Sequence, residues 1–312
     1  MPHISAVIPV YKCADSLVEL KTRLVESLET VSSDFEILFV EDCGNDASWP
    51  LILEFAATDP RIRGLQFSRN FGQHYGITAG LDHCDGDWVV VMDGDLQDLP
   101  EDIPALYRKA IEGFDVVLAV RASREDRFLK KLGSSLFYRA FSYLTDGAFK
   151  SNVGNFRIMS REVVTSFRQL RERLRFFVCL VDWLGFSIAE VELSRAKRLT
   201  GKSTYTFAKL WRLATDAAVN YSDKPLRLAV RLGFLMAAIG FSVGLNLFYG
   251  ALVHGYDVMG WASVIVSLYF IGGIIISLLG VIGIYLGKTF DEVKHRPLYV
   301  VRNSANLNLK KS

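Results

Sequence analysis

Two runs without a charged residue, Gly233–Val253 and Ala262–Leu286, constrain this chain more than any other feature. Each approaches or exceeds the about 20 residues that a helix needs to cross the hydrocarbon of a bilayer. A buried helix of a soluble core is the alternative, but apolar stretches of that kind end at roughly a dozen residues, and here two long ones follow each other. Two membrane-spanning helices are expected. The connector His254–Trp261 has no Lys or Arg, whereas Lys224, Arg227 and Arg231 precede the pair and Lys288, Lys294, Arg296 and Arg302 follow it. The positive-inside rule then puts both termini in the cytoplasm. Tyr249, Tyr256 and Trp261 near the outer ends and Tyr285 near the inner end suit interfacial aromatic belts. Gly272, Gly273, Gly280, Gly283 and Gly287 allow close helix packing, between subunits among other places.

Averaged over 312 residues the runs disappear into a composition that is 50% hydrophobic with a formal net charge of +2. That balance gives nucleic acid no electrostatic hold. Met1-Pro2-His3-Ile4 lacks a charged stretch followed by an apolar one, so no signal peptide is expected. Cys13, Cys43, Cys84 and Cys179 are scattered and read as reduced thiols, not as zinc ligands or a disulfide framework.

Upstream of about Arg231 the chain alternates short apolar runs with helical periodicity. Strands are expected at Ile4–Val10, Phe35–Val40, Ile62–Phe67, the run from Trp88, and Asp115–Val120. Helices are expected over Ser16–Glu29 with Asp15 as cap, Leu51–Ala57, Gly76–Asp82 and Pro100–Glu112. Such alternation predicts an α/β fold with a parallel sheet covered on both faces. Phe128–Leu144 and Tyr205–Tyr221 mix aromatic, aliphatic and basic residues as interfacial helices do. The domain plan is a catalytic domain over 1–204, juxtamembrane interfacial helices over 205–232, a two-helix membrane domain over 233–287 and a cytoplasmic tail over 288–312. The polar end, Asn303–Ser312, is expected to be loose.

Trp88-Val89-Val90-Val91-Met92 ends abruptly in Asp93-Gly94-Asp95-Leu96-Gln97-Asp98. Ligands of open α/β sheets bind at the carboxyl ends of the strands. Asp93 and Asp95, alternate residues of an extended chain, project the same way, and Gly94 lets backbone approach a ligand. With the Gln97 amide they form a hard-oxygen set suited to Mg²⁺ or Mn²⁺ carrying phosphate oxygens. Glu41-Asp42 ends a second strand and Pro9-Val10-Tyr11 a third, so acidic clusters gather on one edge. Asp42 can accept from a nucleobase or ribose; Asp46 and Asp98 read as turn or helix-cap residues.

These residues resemble glycosyltransferase family 2. The segments that carry the resemblance are Val7-Ile8-Pro9-Val10-Tyr11, Val40 to Asp46, Arg69-Asn70-Phe71-Gly72, Ala79-Gly80-Leu81-Asp82 and Gly86 to Glu101. Asn152 to Arg161, Arg198 to Tyr205 and Tyr221 to Leu226 agree with them. The subgroup resembled is the polyprenyl-phosphate glycosyltransferases. The resemblance implies a GT-A fold, with Pro9, Tyr11, Asp42, Asn70 and Asp93 on a nucleotide-sugar, a UDP-sugar being the expected donor. It implies that Asp93, Asp95 and Gln97 hold Mg²⁺ or Mn²⁺. The acceptor would be polyprenyl phosphate at the cytoplasmic face of a bacterial inner membrane, serving cell-surface glycans such as lipopolysaccharide or cell wall. Relatives also imply a homo-oligomer, a tetramer.

A polyprenyl phosphate is already an anion and needs a positive cradle, not a strong base. Arg121, Arg127, Lys130, Lys131, Arg157, Arg198 and Lys202 are candidates. The resemblance favours Arg121, Arg157 and Arg198 with Ser203 and Tyr205 nearby, and gives Arg121 and Arg157 a catalytic role beside Asp93 and Asp95. Asn155 stands where the subgroup commonly carries Asp. Asn cannot take a proton, so with an anionic acceptor Asn155→Asp should leave activity within about tenfold, ~1.4 kcal/mol. Two other readings are weighed: transfer to a hydroxyl of a lipid-linked saccharide, with Asp98 or Asp182 as base, and a non-catalytic membrane-anchored scaffold.

Overall fold

Runs rich in β-branched and aromatic residues make Ile4–Val10 (β1) and Phe35–Glu41 (β2) strands that are buried along their whole length, Ser5 and Glu36 being bonded to each other inside. In the computed structural model, which describes residues 2–121, 153–193, 224–254 and 260–307, they lie side by side at the centre of a sheet. Around them come α1 (Ala14–Glu29), α2 (Ser48–Thr58), β3 (Ile62–Phe67), α3 (Gln73–His83), β4 (Trp88–Val91), α4 (Ile103–Ala110) and β5 (Val116–Arg121). Then follow β6 (Val153–Ser160), α5 (Arg161–Gln169), α6 (Phe177–Trp183), β7 (Ile188–Leu193), α7 (Lys224–His254), α8 (Trp261–Val293) and β8 (Val301–Ala305).

The eight strands run in the order β7-β5-β6-β4-β1-β2-β3-β8. β4, β1, β2 and β3 are parallel neighbours, as expected. The sheet as a whole is not: β6 runs antiparallel to both β4 and β5, and β8 antiparallel to β3. The expected all-parallel sheet is thus corrected to a mixed one. Leu17, Leu20, Leu24 and Leu28 of α1 are fully buried against one face, each contributing about 1.5–3 kcal/mol by leaving water. On the other face α3 lies against β1 and β2, with Gly80 and Val7 at the crossing.

The expected loose end is also corrected. Val301–Ala305 is a strand, and the Asn306 amide beyond it donates to the carbonyls of Ala56 and Ile62 at 2.8 and 2.9 Å. Residues 296–307 therefore belong to the same compact unit as 2–121 and 153–193, while 224–254 and 260–295 form a second unit.

That second unit holds the two apolar runs. α7 and α8 contain windows, Leu226–Asn246 and Ser267–Val293, long and apolar enough to cross a membrane, and among the described residues neither is covered by protein. Bare Phe234, Tyr269 and Ile276 would be costly in water and are ordinary in lipid. Gly233 meets Leu278 where the two helices touch, whereas a Cβ on Gly272, Gly273, Gly280, Gly283 or Gly287 would meet nothing among the described residues.

Candidate functional site

Because β4, β1 and β2 are parallel neighbours, their carboxyl ends open on one edge, and the loops that leave them are strained. Lys12 after β1, Cys43 and Asn45 after β2, and Leu96 after β4 all have positive φ, between 53° and 56°. Non-glycine residues in this region cost on the order of 1 kcal/mol each and persist only where the surroundings fix them. Leu96 is fixed by burial of its side chain. The loop after β2 is fixed by Glu41, whose buried carboxylate accepts from the Gly44 N–H at 2.5 Å. The length of the Glu41 side chain lets it span that turn.

Asp93 follows β4 and is half-buried. Its Oδ1 accepts from the side-chain amides of Gln73 at 2.7 Å and Asn155 at 3.1 Å. Burial pushes its pKa up to about 6, Asp98 and Asp95 add to the rise, and the two amides oppose it. Asp95 is exposed; its carboxylate accepts from the Gln97 N–H at 3.1 Å and from the Gln97 side-chain amide. Asp95 and Gln97 are thus bonded to each other, and Asp93 feels the Asp95 charge. No cluster of three or more His, Cys, Asp or Glu side chains is arranged for a metal among the described residues. Two carboxylates and an amide still fit Mg²⁺ or Mn²⁺, which bind through one or two carboxylates plus water and substrate phosphates.

Asp42 is buried to 2% exposure, and its two oxygens accept from the N–H groups of Phe71 and Gly72 at 2.7 and 2.8 Å. Burial raises its pKa and these two bonds oppose the rise. The Asn70 amide donates to the Asp42 carbonyl at 3.2 Å. Asp42 therefore ties the loop before α3 to the end of β2. Gly72 has φ +108°, a conformation that favours glycine, and α3 starts at Gln73. The helix expected from Gly76 begins three residues earlier, which puts Gln73 at the site. Pro9 is buried in β1 beyond Val7, the last residue paired with β4, and Tyr11 is 47% exposed on the same edge.

The antiparallel partner supplies the other amide. β6 pairs with β4 through Trp88↔Ser160 to Val91↔Arg157, and two residues further along each chain brings Asn155 opposite Asp93. Arg157 lies elsewhere than expected. It is fully buried, donates to the carbonyls of Asn155 and Gly154 at 3.3 and 2.9 Å, and covers the Phe177 ring at 4.7 Å. Burial lowers its pKa to about 10, with Asp182 opposing the fall. It secures the strand that bears Asn155, and its guanidinium does not face the open edge. Arg121 ends β5 at this same edge of the sheet. Arg127, Lys130, Lys131, Arg198, Lys202, Ser203 and Tyr205, with the two amphipathic segments, lie outside the described residues.

The capping expectations shift. Asp15 sits inside the first turn of α1, and it is Asp46 that accepts from the Ala14 N–H at 3.2 Å, while also holding the Ser48 N–H and hydroxyl. Asp46 is thus the cap-like residue anticipated, for two helices. Asp98 is not a cap: a 3₁₀ turn over Pro100–Asp102 precedes α4, with Leu99 and Asp102 at the cap positions. Sequence reasoning missed Gln73 altogether, since one glutamine near a helix start carries no signal of its own.

A mixed α/β sheet with carboxylates gathered on the edge of its central parallel strands marks the chain as a glycosyltransferase with the GT-A fold. It belongs to glycosyltransferase family 2: the profile of Glycosyl transferase family 2 matches residues 5–167. It is 39% identical to the uncharacterized glycosyltransferase YkcC of Bacillus subtilis (strain 168), over 98% of this chain and 95% of that one. It is 38% identical to the bactoprenol glucosyl transferase of Shigella phage SfV, over 96% of this chain and 98% of that one. Among solved structures, the mannosyltransferase PcManGT from Pyrobaculum calidifontis, in complex with GDP-Man and Mn²⁺, is similar over 81% of each chain, with a TM-score of 0.48 and 16% identity.

Proposed function

We propose that the protein transfers one sugar from a nucleotide-sugar, a UDP-sugar in the first instance, to polyprenyl phosphate at the cytoplasmic face of the bacterial membrane, inverting the anomeric centre. The observation that carries this reading is the pairing at Asp93. The side chain that β6 brings to this carboxylate is the Asn155 amide, which cannot take a proton. The side chain at this position of β6 is not a base, and the carboxylates of the edge are read as holding the leaving diphosphate, an arrangement that fits an acceptor already an anion. The similarity to a bactoprenol glucosyl transferase over nearly the whole chain supports the same acceptor.

In this reading Pro9, Tyr11, Asn70 and the Asp42 loop hold the nucleoside. Asp93, Asp95 and Gln97 would hold Mg²⁺ or Mn²⁺. Such a cation, when bound, supplies charge neutralisation for the departing nucleoside diphosphate. Asp93 and Asp95 thereby serve the leaving group and do not activate the nucleophile. The acceptor phosphate is assigned to Arg121, at the end of β5, with Arg198, Lys202, Ser203 and Tyr205, as the family resemblance implies.

Transfer to a sugar hydroxyl would require a base. Asp182 lies in the field of the buried Arg157, and His74, beside Gln73, is pushed down to about 4 by burial and by Arg157 and Arg175. A base that weak is poorly matched to neutral pH. The test is to incubate purified protein with undecaprenyl phosphate, Mn²⁺ and a panel of UDP-, GDP- and dTDP-sugars. A glycosylated lipid from one donor, lost in Asp95→Ala, is expected. Product on a saccharide acceptor alone would replace this reading with the hydroxyl one.

A further inference from the structure

The chain that follows the second membrane helix returns to the catalytic sheet and grips the loop that carries the donor half of the site. β8 pairs with β3 from Gly64↔Ala305 to Phe67↔Val301, and the pairing continues one step past the strand: the Ser68 N–H donates to the Val300 carbonyl at 2.9 Å. Ser68 opens the loop that runs through Asn70, Phe71 and Gly72, the residues bonded to Asp42. Tyr299 lies on the Phe67 ring, stacked at 5.3 Å and 20°, and Phe71 packs edge-on against the same ring at 5.5 Å. The Tyr299 hydroxyl reaches the far end of α3, donating to Asp82 Oδ2 at 2.8 Å, and Arg171 donates to both oxygens of that carboxylate at 2.8 and 3.0 Å.

One side chain thus contacts both ends of a short lever. At one end, Phe67 and Phe71 lead to the Asp42 bonds. At the other, Asp82 anchors the helix whose first residue, Gln73, bonds Asp93. These contacts join Tyr299 to both carboxylates of the donor half without Tyr299 approaching the ligand. Removing the ring would uncover Phe67, which is fully buried, and free Phe71 to move.

We infer that Tyr299 is a positioning residue for donor binding: through its ring contacts with Phe67 and, beyond it, Phe71, it fixes the loop Ser68–Gly72 and with it Asp42, while its hydroxyl bond to Asp82 adds a lesser tie to α3. The inference rests on the reading of this edge as the donor site. It makes the segment behind the membrane hairpin part of the donor machinery, not a passive tail.

The test uses full-length protein in detergent, with Tyr299→Ala and Tyr299→Phe. Hydrogen exchange reads the loop without any ligand. In Tyr299→Ala the Phe71 and Gly72 amides should exchange at least tenfold faster while β1, β2 and β4 keep their protection. In Tyr299→Phe, which keeps the stack and loses only the hydroxyl's contacts with Asp82 and His83, the change should stay within about threefold. Calorimetry with Mn²⁺ and UDP, GDP or dTDP should show the tightest of the three weakened about tenfold by Tyr299→Ala and largely restored in Tyr299→Phe. Turnover at saturating donor, and KM for undecaprenyl phosphate, should change less than threefold. Unchanged exchange at Phe71 and Gly72 overturns the inference. So does a loss of protection throughout the sheet with kcat and both KM values falling together, which marks a general stability role. Faster loop exchange with unchanged nucleotide affinity would instead remove the donor reading of the edge, and the functional half of the inference with it.

Discussion

Asp93 is held between opposing influences: burial and the charges of Asp98 and Asp95 push its pKa up to about 6, while the Asn155 and Gln73 amides pull it back. Above about pH 6 it is a carboxylate able to take a cation; below that pH a proton occupies it. Mn²⁺ affinity without nucleotide should therefore be flat from about pH 7 upward and fall by about tenfold per pH unit below 6. Electron paramagnetic resonance titrations from pH 5 to 8 would measure this, and Asp93→Asn should remove the acid limb. A profile that is the same in both proteins would mean that Asp93 does not govern cation binding. Asn155→Asp tests the neighbouring position. It replaces a donor 3.1 Å from Asp93 with a like charge, so the acid limb should move to higher pH. Its activity plateau near pH 8 should stay within about tenfold, ~1.4 kcal/mol, if the acceptor supplies its own charge. A plateau changed by several orders would argue for a hydroxyl acceptor that needs a base.

At the scale of elements, what could be read in advance divides along physical lines. β1 and the core of β2 were legible because a parallel strand buried on both faces is mostly apolar, and β3 because Ile62, Leu65 and Phe67 mark a short apolar run despite Arg63 and Gln66. The acidic edge followed from where those runs stop. β8 was not legible: Val301-Arg302-Asn303-Ser304-Ala305 is an edge strand, and edge strands are kept polar, so it reads as tail. The place of β6 was hidden too, since no local pattern announces that a strand will insert antiparallel between β4 and β5, and Asn155 could be set against Asp93 only from that register. The start of α3 was missed because its entry carries no capping Ser, Thr or Asp; the ordering carboxylate comes from Asp42, on another strand. α3 also depends on close approach. A Cβ at Gly80 would lie 2.2 Å from Val7 Cγ1 of β1, and Val has no flexible end to move aside. Gly80→Ala should destabilise the protein by about 1–3 kcal/mol through overpacking. Denaturant unfolding should show the loss, and nucleotide affinity should drop as the helix lifts from the sheet. Unchanged stability would mean that α3 packs more loosely than these distances describe.

For the whole molecule, the order of the sheet restricts how the chain can meet a membrane. Residues 2–121 and 153–193 build β1 to β7, and residues 301–305 add β8 to the same sheet after the two apolar helices. A strand can pair with β3 only on the side of the bilayer where β3 is, so the chain between β7 and β8 crosses an even number of times. α7 and α8 are two helices long and apolar enough to supply such a pair of crossings. A single crossing would leave the N–H and C=O groups along the outer edge of β3 without their partners and uncover Phe67. The charge pattern supports the proposed side: Lys and Arg flank the helix pair and are missing from His254–Trp261, and the positive-inside rule then predicts a connector outside and a sheet in the cytoplasm. Single cysteines check this directly. In a background with Cys13, Cys43, Cys84 and Cys179 replaced by Ser, or by Ala where buried, Asp257→Cys should react with a membrane-impermeant maleimide on intact spheroplasts. Arg302→Cys, on the exposed side of β8, should react only after lysis. Labelling of Arg302→Cys in intact cells would place β8 outside. Labelling of neither variant before lysis would mean that the apolar pair does not cross.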